Sequence, residues 1–107
     1  MPTYANTSYV AKNVGTSAST LTTVSSGTIA ITSLVVSNTT TSPITTDVYF
    51  TRSATDYYLV KAATIPVGGS LEVIGGNRVV LIASDALKVL TSAASSADVV
   101  VSVLTAV

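Results

Sequence analysis

The 107-residue chain balances five Lys and Arg against five Asp and Glu, and its charged fraction is 9% where soluble domains carry about 25%. With neither cysteine nor histidine, it has no thiolate or imidazole for disulfides, zinc fingers, iron–sulfur clusters, thiol nucleophiles or Ser-His triads. Lys12, Arg52, Lys61, Arg78 and Lys88 stand singly, so the basic cluster that grips a phosphate backbone or an anionic lipid surface is missing; no nucleic acid and no membrane are expected as partners.

The length allows one hydrophobic core. The first ten residues lack a basic stretch and an apolar core of about 7 to 15 residues, so no secretory signal is expected. No run reaches the roughly 18 apolar residues of a membrane-spanning helix. Nearly a third of the chain is Ser or Thr, with Val the main large apolar residue. That mixture disfavours helices, because β-branched side chains lose χ1 freedom there and Ser competes for backbone hydrogen bonds.

In chain order, residues 1–19 read as a polar N-terminal arm whose only large side chains besides Met1 are Tyr4 and Tyr9, ahead of a β-sandwich domain over residues 20–107. A first strand is expected at Thr20–Ser25. Thr28–Asn38 (TIAITSLVVSN) reads as a central strand buried on much of both faces, with Ala30, Thr32, Leu34 and Val36 on one and Ile29, Ile31, Ser33 and Val35 on the other. After the polar tract around Pro43, Thr46–Arg52 alternates, with Val48 and Phe50 on one face and Asp47, Tyr49 and Thr51 on the other. Ser53-Ala54-Thr55-Asp56 connects it to an antiparallel partner at Tyr57–Ala63. Ile65-Pro66-Val67-Gly68-Gly69-Ser70 forms a corner, with both glycines free to take positive φ. Strands then follow at Leu71–Ile74, Arg78–Ala83 and Asp98–Leu104. Ala86–Thr91 reads as a strand, but Ser84 would also cap a helix with Leu87, Leu90 and Ala94 on one face. Turn signals every 8 to 12 or so residues, over roughly seven or eight short strands, make the expected fold all-β: a single antiparallel β-sandwich, immunoglobulin-like or jelly-roll.

Candidate sites are few. Gly68-Gly69 and Gly75-Gly76 lack the Lys and the helix of a phosphate loop and read as turns. The five acids are spaced nine or more residues apart in sequence and read as isolated carboxylates; no metal and no cofactor is expected. Asn6-Thr7-Ser8 and Asn38-Thr39-Thr40 match the glycosylation sequon by chance in a Ser/Thr-rich chain. Tyrosine supplies five of six aromatics. One of Tyr57 and Tyr58 should lie on the outer surface beside Tyr49, as an aromatic pair stiffening the hairpin, a subunit contact or a sugar-stacking surface. Tyr49, Tyr57, Tyr58, Tyr4 and Tyr9 are the candidate interface residues.

The succession ITSLVVSN (31–38), VYFTR (48–52), YYLVKAATIPVGGSLEV (57–73), VVLIASDALKVL (79–90) and VVVSVL (99–104) resembles small β-sandwich virion proteins of tailed bacteriophages. The resemblance implies a non-enzymatic capsid decoration (cement), neck or tail component. Its partners would be itself, as a homo-oligomer with a trimer expected, and other virion proteins such as the major capsid or neck and tail proteins, after synthesis in the host cytoplasm. It carries over no functional residue. The rival expectation is a carbohydrate-binding or host-adhesion module.

Overall fold

The computed structural model describes residues 4–74 and 78–106. They form nine strands: β1 (Tyr4–Val14), β2 (Ser19–Thr23), β3 (Thr28–Asn38), β4 (Ile44–Arg52), β5 (Thr55–Ile65), β6 (Ser70–Glu72), β7 (Val79–Ile82), β8 (Ala86–Thr91) and β9 (Ala97–Ala106). One sheet runs β1-β9-β3 with β6 and β7 sharing the far edge of β3; the other runs β2-β8-β4-β5. All pairings are antiparallel. Only β4–β5 and β6–β7 connect within a sheet, and every other link crosses between the two. This strand order is a jelly roll, with β6 and β7 together filling the eighth position.

Alternation explains the core. In β3, Ile29, Ile31, Leu34 and Val36 are buried facing the second sheet, and an extra residue at Thr32/Ser33 resets the phase between Ile31 and Leu34. Without that bulge one half of the apolar set would point to solvent. Val99, Val101 and Val103 of β9 pack beside them, against Val48, Leu87 and Val89 of the opposite sheet. Truncating any of these to alanine costs about 2 to 4 kcal/mol through lost burial and a residual cavity.

Three sequence expectations need correction. The arm expected over residues 1–19 is, across its described residues, part of the sandwich: β1 pairs with β9 from Tyr4 to Val14, and β2 begins at Ser19. The segment escapes apolar patterning because it is an edge strand, with Tyr9 and Ala11 packed on the core and Asn6, Ser8 and Val10 facing solvent. Among the described residues the strands number nine and not seven or eight, because the segment read as an arm contributes β1. The helix alternative for residues 84–94 fails, because Ser84 takes φ 76° and β8 is built into the centre of its sheet.

Two turns are tighter than expected. The β4–β5 hairpin turns on Ser53 and Ala54 alone, at φ 53° and 63°, the double left-handed geometry that glycine and asparagine usually supply. At the Pro66 corner Gly68 takes φ 70°. A Cβ on Gly69 would lie 2.9 Å from the Pro66 ring, so the second glycine serves close approach.

Candidate functional site

The structure divides the five tyrosines. Tyr49 and Tyr58 stand opposite each other on β4 and β5, on the solvent side of their sheet, with ring centroids 5.0 Å apart. Tyr58 and the rest of that surface leave Tyr49 only 7% exposed, and burial is the main cause raising its phenol above the usual value, with Asp56 and other neighbours adding to it. Lys61 Nζ lies 4.3 Å from the Tyr58 centroid, a cation–π contact over one ring face. Tyr57 points the other way and stacks on Phe50 at 5.4 Å, while Arg52 approaches Phe50 from 5.2 Å. Tyr57 and Tyr58 are thus both exposed, at 49% and 44%. Tyr9 belongs to the other sheet and packs half-buried on the core; the Tyr4 side chain lies outside the described residues. The one pair the structure joins on the outer surface is Tyr49–Tyr58.

The carboxylates have a shared role that their isolation in sequence concealed. Asp47 accepts from Ala62 N–H at 2.7 Å, Asp98 from Asn13 N–H at 3.2 Å, Glu72 from Leu34 N–H at 3.0 Å and Asp85 from Ile82 N–H at 2.9 Å. The fifth, Asp56, accepts from the Thr51 hydroxyl at 2.8 Å. Asn13 and Ala62 are positive-φ residues at irregularities of the edge strands β1 and β5, and each follows a lysine, Lys12 or Lys61, that pairs with the same aspartate. A bulge and a lysine on each long edge discourage uncontrolled strand pairing. Among the described residues no three His, Cys, Asp or Glu gather as a metal site would require.

Asn38 is a residue whose importance the sequence reading missed. It is buried, its Nδ2 lies 2.8 Å from Ser42 O, 3.2 Å from Ile65 O and 3.3 Å from Pro66 O, and its Oδ1 accepts from the backbone and hydroxyl of Thr40. An amide so engaged, with its nitrogen turned inward, does not present itself to a glycan in the folded protein. The available signal was an Asn ending an apolar strand just before a Thr-rich turn. Gly68-Gly69 forms the corner already described, and Gly75-Gly76 lies outside the described residues.

Among the described residues, depressions of the surface include two of note. One, of about 200 Å³, opens between the sheets beside Tyr9, Thr22, Val24 and Ser26. The other, of about 400 Å³, lies on the outer face of the five-stranded sheet and is lined by Asn6, Thr7, Ser8, Thr32, Ser102 and Val103. Neither brings a charged group together with a nucleophile.

No protein-family model and no curated protein matches the chain. Solved structures do. A chain from work describing Bacillus endospore appendages as a novel family of disulfide-linked pili superposes with a TM-score of 0.60 at 16% identity, over 98% of this chain and 89% of that one. A chain from the acidic stable capsid structure of the Helicobacter pylori bacteriophage KHP30 superposes with a TM-score of 0.51 at 13% identity, over 100% of this chain and 94% of that one. The chain therefore shares its β fold, nearly end to end, with a chain from a pilus study and a chain from a phage capsid.

Proposed function

We propose that the protein is a non-enzymatic structural subunit of a tailed-phage virion, an accessory component that stabilises a shell or a joint by bridging neighbouring subunits and copies of itself. The observation that carries this reading is the assignment of the carboxylates. Four of five hold backbone N–H groups and the fifth a hydroxyl, so acid–base chemistry would compete with the fold, while the broad sheet face beyond them is nearly free of charge. The phage capsid neighbour, matched over its own near-full length, supports the virion setting. The mechanism is mass action: a subunit that binds only the assembled form raises the stability of that form.

A filament is the second reading, favoured by the higher structural score of the appendage chain. Without cysteine, any such polymer of this chain would be held together by something other than disulfides. The sugar-binding alternative has less support, because Lys61 already covers one face of Tyr58. Antibody-labelled electron microscopy of particles and filaments purified from the source organism tests the proposal. Label at fixed positions on tailed particles is the expected result; label on filaments alone, or on neither, overturns it.

A further inference from the structure

The outer face of the five-stranded sheet carries an unusual pairing of a protrusion and a recess. Val10 of β1 is 73% exposed on an edge strand and heads a row with Val100 of β9 and Val35 of β3, its successive cross-strand partners. The neighbouring row toward the other end of the strands is Ser8, Ser102 and Ser33. There the β3 bulge adds Thr32, whose hydroxyl bonds to Ser102 O at 3.1 Å, and the surface sinks into the depression of about 400 Å³. Protrusion and recess lie on the same strands, displaced along them by one or two residue pairs.

We infer that this face is the contact between two copies of the chain, with Val10 of each copy seated in the Ser8–Ser102–Thr32 recess of the other. A two-fold axis lying in the interface and crossing the strands between the two rows brings every protrusion over a recess, the self-complementarity an isologous contact demands. Charge agrees. The charges on the face are Glu72 and Arg78, of opposite sign, at the β6–β7 flank and the Lys12–Asp98 pair near one end of the strands, and that pair is matched to itself at 3.5 Å. The axis sets the Lys12–Asp98 pair over an uncharged row of the partner and displaces Glu72 and Arg78 along the flank, so no like charges meet. Area agrees too: four strand positions about 4.8 Å apart and roughly 30 Å long give about 600 Å² per copy, and about 1,200 Å² for the pair lies within the range of specific interfaces. The inference deepens the proposed function by naming its self-contact, and it replaces the expected trimer with an even-numbered species.

Sedimentation equilibrium on the full chain tests it, with Val10→Lys and Val100→Lys placing charges at exposed positions and Tyr58→Ser as the control on the opposite sheet. Circular dichroism confirms that each variant is folded, and Val10→Ser substitutes for any lysine variant that is not. The expected result is a two-fold species weakened at least tenfold by either lysine substitution, and by less than twofold in the control. A wild-type monomer at high concentration, a trimer, or a dimer indifferent to Val10 and Val100 overturns the inference. A trimer or an indifferent dimer leaves the proposed function untouched and a monomer removes only its bridging of copies, whereas the virion role itself fails only if the protein is absent from particles.

Discussion

At one end of the roll the strand connections are held by uncharged groups. Asn38 binds the β3–β4 connection and the Ile65–Pro66 corner, while the Thr91 and Ser96 hydroxyls, 2.6 Å apart, share the Val14 carbonyl. At the other end an ion pair does the corresponding work. Asp85 is almost fully buried in the β7–β8 turn, receives Arg52 through Nε and Nη2, and accepts from Ile82 N–H. Its backbone carbonyl also accepts from Val24 N–H at 2.9 Å, so the β2–β3 connection is drawn into the same knot. The Asn38 and Thr91–Ser96 contacts at one end are therefore insensitive to protonation, and the knot at the other depends on a carboxylate remaining charged.

The largest test of this contrast is Asn38→Ala. It strands buried carbonyls on two connections, each a loss of about 1 to 3 kcal/mol, so thermal or urea unfolding should register about 3 kcal/mol of destabilisation. With no titratable group involved, the gap from wild type should be the same at pH 7 and in mild acid. A gap that closes in acid would show that the amide network depends on charge after all.

Asp85→Asn comes next, at about 2 kcal/mol near neutrality for the lost charge-assisted bonds. The Arg52 hydrogen bond chiefly, with help from Ile82 N–H and the Arg52 charge, holds the Asp85 carboxyl below its ordinary 3.8 despite the opposing effect of burial. A depressed folded value means the unfolded chain takes up the proton first as pH falls. The stabilisation is thus complete above 3.8 and drains away as pH drops through the lower folded value. Unfolding curves of wild type and variant should converge below that point, and a gap that stays constant there would refute the assignment.

The same contrast shows what the sequence made legible. A dense run of β-branched and apolar residues located β3, although the bulge gathers Ile29, Ile31, Leu34 and Val36 from both expected faces onto the single buried one. The expected pairing of Tyr49 with one of Tyr57 and Tyr58 appears as Tyr49–Tyr58. Such features follow from local composition and side-chain period. The edge strand β1 was hidden because only half of one face meets the core. The bulges were hidden because Asn13 and Ala62 adopt positive φ without glycine, their N–H groups held by aspartates far away in sequence. Asp85 looked like a turn residue, and it is one. Nothing local to SDAL announces that Arg52, 33 positions earlier, will close on it.

A smaller effect, of opposite sign, is expected at the charged end, where the hairpin is the least comfortable turn. Ala54 at φ 63° carries a Cβ in the left-handed region, a strain of about 1 to 2 kcal/mol that glycine relieves at some entropic cost in the unfolded chain. Ala54→Gly should therefore stabilise by about 0.5 to 1 kcal/mol, raising the melting temperature by a few degrees. A lower melting temperature would mean that the alanine methyl makes a contact outweighing the strain.

The smallest effect is expected from Lys12→Ala, and it separates having a charge nearby from depending on one. Lys12 and Asp98 meet at 3.5 Å on the edge of the roll toward the Asn38 end, with the lysine side chain 79% exposed. An ion pair so open to water is worth within about 0.5 kcal/mol and fades with salt. Asp98 has a second task, accepting from Asn13 N–H where β1 bulges, and that bond survives loss of the lysine. Removing Lys12 should leave stability nearly unchanged at every pH, whereas Asp98→Ala should cost about 1 kcal/mol by freeing the bulge. Equal losses from the two substitutions would place the stabilisation in the ion pair and make the Asn38 end charge-dependent like its opposite.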